Sequence, residues 1–434
     1  MNAKNQQTQA QLRSALQLNS TQGASELRAP LGISQPTLSR FLGGLGGELA
    51  VLGKGPRTRY GLHRNVRGLG THWPIFQISE SGASQKLGEL HALHQGAFWL
   101  DAHLQCDWLS GEFRDGLFPD FPWFLSDLRP QGFLGRALAR RVAPALLCEP
   151  DPRNWSADLV LHALLAFGSD LSGNLVIGEA AHEAAQNFVP IMQSIASFPE
   201  LAERALAGEW MGSSAAGEQP KFCCWLPNDQ GEVSAHLVKF SPPMDSKSGQ
   251  RWADLLAAES IADALLGGTS TTVDTANRRF LVAERFDRIG PHGRRGFISI
   301  GAADTAYFGG LDNWTSCANR FEQADWLSAA DADTLRLRYY FGRAIGNADM
   351  HFGNASLIFS ANLPMALAPS YDMLPMHFAP LANGEVLTRS FSMPAQNGDK
   401  IPARAHALAR QFWQLVAGDA RISAEFLEIA RGLN

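Results

Sequence analysis

The sequence predicts an α+β chain in two unequal parts, a small basic winged helix-turn-helix followed by a larger two-lobed body. Three observations predict it. Positive charge is concentrated in the first seventy residues; the same stretch carries a helix, tight turn, helix and basic hairpin pattern. Beyond it, a small-residue loop, a strand lysine, a helix glutamate and an Asp/Asn/Asp set follow in a fixed order. At 434 residues the chain exceeds what one core supports. The pattern divides it into residues 1–70, 71–285 and 286–434.

Composition limits the class. Apolar residues make up 45% and charged residues 18%, which fits a globular chain and not a disordered one. No run of eighteen apolar residues occurs, so neither a spanning helix nor a membrane partner is expected. The start, Met1 to Gln7, lacks the apolar centre of a signal peptide. Five cysteines without metal-ligand spacing fit a reducing cytoplasm, and Cys223-Cys224 reads as part of a core strand. A cytoplasmic location is expected. Residues 1–70 hold nine Lys and Arg against Glu26 and Glu48, a charge of +7, so the remainder carries −12 of the overall −5. A basic module that meets an anionic polymer, joined to an acidic body, explains that split; chance clustering is the alternative.

In residues 1–70, Leu12, Ala15, Leu16 and Leu18 give a first helix its apolar face, and a second runs from about Gln22 to Leu31. Gly32-Ile33-Ser34 then makes a turn in which Gly32 suits a positive φ. Ser34 caps the next helix and Pro36 fits its first turn. That helix buries Leu38, Leu42 and Leu45 and turns Gln35, Thr37, Ser39 and Arg40 outward, where they suit base edges and phosphates. Glu48–Leu52 and Thr58–His63 read as strands around a tip carrying Lys54 and Arg57, the place of a wing on the phosphate backbone. The stretch is similar to the turn and recognition helix of bacterial transcription regulators, and binding to DNA is expected. A helical hairpin that serves only packing is the alternative.

From Pro74 to about Glu112 short alternating runs predict a small sheet. The aromatic and proline-rich stretch Gly116–Phe133 reads as an ordered loop, and helices dominate from Leu134 to Ile195, with a hairpin at Gly168–Gly178. Met211–Lys221 is a run of small residues that would let backbone N–H groups approach phosphates, or a linker. It is not a Walker A loop. Lys239 ends a strand, where a cation would reach phosphates; a solvated edge lysine is the alternative. Glu259, on helix Arg251–Leu266, could anchor that lysine or be an ordinary surface charge. Leu281–Arg288 is a strand entering a connector, with Arg285, Asp287 and Arg288 as a possible salt-bridge knot. Helix Thr334–Ile345 leads to Asn347–Asn354. There Asp349 and Asn354 lie five residues apart, and Asp372 follows a short strand, the spacing of a phosphoryl-transfer loop with its metal ligands.

Phe-Leu-Ser-Asp-Leu-Arg-Pro-Gln-Gly, Ala-Gly-Glu-Gln-Pro-Lys, Ala-Glu-Arg-Phe-Asp-Arg, Gly-Asn-Ala-Asp-Met-His-Phe-Gly-Asn and Ala-Pro-Ser-Tyr-Asp-Met together resemble the HipA family of bacterial toxin kinases over roughly 75–420. The N-terminal helix-turn-helix resembles its single-chain YjjJ-like branch. The resemblance implies a HipA-like two-lobed protein-kinase-related fold and Ser/Thr phosphorylation with ATP and Mg²⁺. It implies a protein substrate such as an aminoacyl-tRNA synthetase and hence arrest of translation and growth. Carried over by motif, Asp349 is the catalytic aspartate, Asn354 and Asp372 hold the metal, and Lys239 and Gly217 meet ATP phosphates. Glu284 and Phe286 lie at the adenine connector, and Ser214, or its neighbour Ser213, is the autophosphorylated serine whose modification would inhibit the enzyme. An antitoxin partner, a homodimer on DNA and autoregulation are further implications. Gly353 departs from the family's frequent lysine, which bears on turnover, and Glu218 brings negative charge beside the phosphates. Two competing readings remain: a DNA-binding regulator with a nucleotide-sensing or inactive kinase-like body, and a small-molecule kinase with the same Asp/Asn/Asp set.

Overall fold

The computed structural model describes residues 3–209, 217–227, 231–395 and 398–433. At the N-terminus, α1 (Ala3–Leu18), β1 (Gln22–Gly23), α2 (Ala24–Leu31), α3 (Gln35–Gly43), β2 (Leu49–Leu52) and β3 (Arg59–Leu62) follow one another, with an antiparallel sheet in the order β1-β3-β2. Leu12, Leu16, Leu27, Leu38, Leu42 and Leu45 form its core. Leu18, expected on that apolar face, is 73% exposed. Two residues past Leu16, it points about 200° around the helix from the buried row. The second helix starts at Ala24 because Gln22 and Gly23 pair with Tyr60 and Arg59, and the Gly23 N–H donates to the Glu26 carboxylate at 2.7 Å. Gly32 takes φ +61°, and the Ser34 hydroxyl accepts from the Thr37 N–H at 3.4 Å. Both features were legible from turn chemistry alone.

Next come β4 (His72–Ile78), β5 (Ser84–Ala92), β6 (Phe98–Ala102), β7 (Leu117–Phe118), α4 (Gly132–Leu146), α5 (Ala157–Phe167), β8 (Leu175–Ile177) and α6 (Glu179–Gln186). The five strands form one antiparallel sheet in the order β7-β6-β5-β4-β8. The hairpin expected at Gly168–Gly178 is corrected: Leu175–Ile177 pairs with Gln77–Ile75 as an edge strand. Its three apolar side chains are all buried, so the sheet, not a local turn, decides where this run goes. The aromatic stretch is packed as expected, with Phe121, Trp123, Phe124 and Leu125 buried.

The second sheet is built from β9 (Lys221–Pro227), β10 (Val233–Phe240), β11 (Thr271–Thr275) and β12 (Arg278–Glu284), antiparallel in the order β11-β12-β10-β9. Helix α7 (Phe198–Leu206) covers one face, where Phe198, Phe222, Phe240 and Phe280 pack together. Helix α8 (Lys247–Leu265) packs on β12. The remaining elements are β13 (Arg288–Ile289), β14 (Gly293–Arg294), β15 (Phe297–Ser299), α9 (Ile300–Tyr307), α10 (Trp314–Gln323), α11 (Ala329–Ala344), β16 (Ser356–Ile358), α12 (Lys400–Gly418) and α13 (Ala424–Arg431). Helices α10 to α13 pack in sequence order around Trp314, Phe321, Phe341, Phe412 and Trp413. Helix α11 begins five residues before the expected Thr334, because Ser328 caps it through the Asp331 N–H at 3.1 Å. The short strand expected before Asp372 is reduced to a single bridge, Leu357 with Leu367. No helix among the described residues is long and apolar enough to cross a membrane.

Candidate active site

The second sheet and the C-terminal helical part enclose a cavity of about 470 Å³. Its polar end is defined by strand register. Lys221 on β9 lies directly across from Lys239 on β10, and both side chains are buried. The Lys239 ammonium bridges two carboxylates, Glu259 from α8 and Asp372 from the segment after β16. Burial alone would lower the Lys239 pKa, but the charges of Asp372 and Glu259 outweigh it and hold the ammonium above its ordinary range. For Asp372, burial opposes ionisation, yet Lys239 and Lys221 hold its carboxyl down at about 2. Burial lowers Lys221 and raises Glu259, each partly offset by the opposite charges nearby.

Backbone geometry explains two positions. Asp372 adopts φ +53°, an uncommon conformation for a residue with a side chain. Gly217 takes φ +97°, and a Cβ there would lie 2.6 Å from the Lys221 ammonium and 3.7 Å from an Asp372 carboxylate oxygen. Only glycine lets that backbone pass so near the charged cluster.

The loop between α11 and β16 is held by its own amides. The Asn347 amide donates to the Asp372 carbonyl at 3.2 Å, and its oxygen accepts from the Asp349 N–H at 3.0 Å. The Asn354 amide donates to the Asp349 carbonyl at 2.8 Å. The Tyr371 hydroxyl meets the Gly353 carbonyl at 3.0 Å and the Ser356 hydroxyl at 2.5 Å. Asn354 lines the cavity with Asp372, whereas Asp349 is exposed and outside its lining. The carboxylate of Asp372 and the amide oxygen of Asn354 are hard oxygen donors that fit Mg²⁺, which binds through one or two protein groups plus phosphates. Among the described residues no cluster of three or more His, Cys, Asp or Glu could hold a metal ion unaided.

Comparison with known proteins assigns the family. Residues 69–186 match the model described as YjjJ-like toxin, middle domain, and residues 213–432 match the HipA-like C-terminal domain. Toxin YjjJ of Escherichia coli (strain K12) is 37% identical over 430 residues, covering 96% of this chain and 95% of the relative. The chain belongs to the YjjJ-like toxin family. Among solved structures, a chain from the Shewanella oneidensis MR-1 complex of HipA, HipB and operator DNA superposes with a TM-score of 0.52. The match covers 83% of this chain and 94% of that one at 14% identity, a likeness of fold.

In this YjjJ-like chain the cavity gathers Lys239, Glu284, Phe286, Asn354 and Asp372, with Gly217 against its charged end. Phe286 stacks at 6.1 Å on Tyr371. Glu284 is exposed at the end of β12. Ser214 and Ser213 lie outside the described residues. Gln35, Ser39, Arg40, Lys54 and Arg57 are exposed on the N-terminal part. Thr37 is half-buried, and its hydroxyl bonds that of Ser34 at 3.0 Å. Glu218 is ion-paired with Arg136 of α4, which offsets the charge beside the loop. Sequence reasoning missed Lys221, Tyr371 and Asp127 as cavity residues. Lys221 had a usable signal, since pairing β9 with β10 about their turn sets it opposite Lys239; Asp127 stands in the family-like stretch Phe-Leu-Ser-Asp-Leu-Arg-Pro-Gln-Gly, but no local pattern ties it to its partner Ser299, 172 residues on.

Proposed function

We propose that this chain is an ATP-dependent Ser/Thr protein kinase acting as a HipA-type toxin. The observation that carries the reading is Lys239 bridging Glu259 and Asp372 in a cavity that Asn354 also lines. In this reading Lys239 and Lys221 draw the phosphates to the charged end. Asn354 and Asp372 would hold Mg²⁺, which supplies charge neutralisation on the phosphates when bound. Asp349, fixed through its own N–H and carbonyl, accepts the proton of the attacking serine or threonine hydroxyl. Phe286 packs the base end. The small-residue loop carries Ser214, whose phosphorylation would place a roughly dianionic group against the phosphate site and switch the enzyme off.

We further assign residues 1–70 as a winged helix-turn-helix. The glycine turn, the capped α3 with exposed Gln35, Ser39 and Arg40, and the β2–β3 hairpin with exposed Lys54 and Arg57 support it. The toxin, antitoxin and operator assembly named for the Shewanella protein supports DNA and an antitoxin as partners, with a homodimer on paired half-sites. A protein substrate such as an aminoacyl-tRNA synthetase belongs to the same reading.

One experiment tests it in two arms. Labelled ATP is incubated with the protein and candidate protein substrates, and Asp349→Asn is run beside it. Label should appear on protein and fall by about two to three orders of magnitude in the variant. Label on a small molecule, or equal transfer in both, contradicts the assignment. In the second arm duplex DNA binding is followed against salt. Loss of Arg57 should flatten the log–log salt slope by about one if it neutralises a phosphate, and an unchanged slope removes it from the interface.

A further inference from the structure

The stretch from Asp127 to Phe133 runs through the candidate site and touches both of its halves. At one end the Asp127 carboxylate accepts from the Ser299 N–H at 2.6 Å and from its hydroxyl at 2.9 Å. At the other, the Phe133 N–H donates to the Gly217 carbonyl at 2.9 Å, where the chain enters the charged cluster. Between them Gln131 joins Asp127 in lining the cavity. All of these residues but Ser299 and Gly217 belong to the stretch matched by the YjjJ-like middle domain. The cavity is therefore walled partly by a region to which sequence reading assigned no site residue.

Where Asp127 lies in that cavity bears on what it could touch. Ser299 pairs in register with Ser356, whose hydroxyl meets that of Tyr371, and Tyr371 stacks on Phe286. Asp127 thus lines the cavity together with Phe286, Phe297 and Tyr371. Each oxygen of an ionised carboxylate accepts two hydrogen bonds, and Ser299 uses one on each. Among the described residues one acceptor direction per oxygen is left, in a cavity that Phe286 and Tyr371 also line. Burial raises the carboxyl above its ordinary range, opposed by the two Ser299 bonds.

We infer that Asp127 is a specificity residue of the nucleotide site, accepting a hydrogen bond from an N–H or O–H of the nucleoside half of ATP. This rests on the kinase reading above. Two donors share that chemistry, the ribose hydroxyls and the amino group of the base.

The test is calorimetric titration of the full chain with MgATP, 2′-deoxy-ATP and purine riboside triphosphate, which lacks the amino group, with inorganic tripolyphosphate as the phosphate-only probe. Asp127→Ala should weaken MgATP at least tenfold. The weakening should shrink to about twofold or less for one analogue, which identifies the donor, and tripolyphosphate affinity should not move. Asp127→Asn keeps the shape while replacing one acceptor by a donor, and should weaken MgATP in the same way if Asp127→Ala does not fold. Ser299→Ala, which retains the backbone bond to Asp127, should bind MgATP within about threefold of the wild type. Equal losses for all four ligands, or an unchanged MgATP affinity, overturn the inference. A wild-type chain that binds no MgATP overturns instead the kinase reading beneath it.

Discussion

Two buried charge clusters lie along the same cavity, and they differ in how completely their hydrogen bonds are used. In the connector after β12, Asp287 accepts from Arg285 at 2.8 and 3.0 Å, from Arg288 at 2.8 Å and from the Gly173 N–H at 2.8 Å. Arg288 also reaches Asp170 at 2.9 Å and the Leu171 carbonyl at 2.6 Å. Burial opposes ionisation of Asp287, but the two guanidinium groups hold its carboxyl far below the ordinary range. At the other end, Lys239, Lys221, Glu259 and Asp372 show the same balance of two cations and two anions. There the Glu259 Oε2 has no hydrogen-bond partner among the described residues. One closed cluster ties the connector to residues 170–173; the other lines the cavity with a carboxylate oxygen unused among the described residues. A buried charge with every partner supplied by the chain reads as structure, and one with capacity left over reads as a site.

The largest effect should come from breaking the closed cluster. Asp287→Ala leaves the buried Arg285 guanidinium without its carboxylate and Arg288 with Asp170 alone, and removing one partner of such a pair costs about 3–5 kcal/mol. Denaturant unfolding measures it, and a loss below about 1 kcal/mol would show that the knot is not structural. The smallest should come from the exposed Arg136–Glu218 pair, whose side chains are 39% and 76% accessible. Arg136→Ala should change stability by only about 0.2–1 kcal/mol. A loss as large as that of Asp287→Ala would mean that exposure is a poor guide to which ion pairs matter here.

Local chemistry was readable from the sequence and distant contacts were not. Ser34 caps α3 and Gly32 takes a positive φ because a turn needs only its own few residues. Lys239 and Glu259 are twenty residues apart, and their pairing was readable only as an alternative to an ordinary surface charge on the helix. The Arg285, Asp287 and Arg288 group was readable only as an alternative between connector and knot, because its deciding partners, Asp170 and Gly173, lie more than a hundred residues earlier. Asp127 lay in a family-like motif, but its tie to Ser299 was unreadable for the same reason. The edge strand Leu175–Ile177 went unread because three apolar residues carry no period of their own.

The open cluster has a pH signature with a definite sign. Asp372 is held at about 2, below its ordinary 3.8, so its contribution to stability is complete above the ordinary value and is lost as pH falls through the folded one. Asp372→Asn should remove that part of the acid dependence. At neutral pH it should cost less stability than Asp287→Ala, since Lys239 keeps Glu259. The decisive measurement is therefore phosphoryl transfer from labelled ATP by Asp372→Asn, normalised to folded protein by its own unfolding curve. Transfer lower by about two to three orders of magnitude, with the fold retained, is the expected result. Undiminished transfer per folded molecule would contradict the claim that the open cluster is the catalytic one.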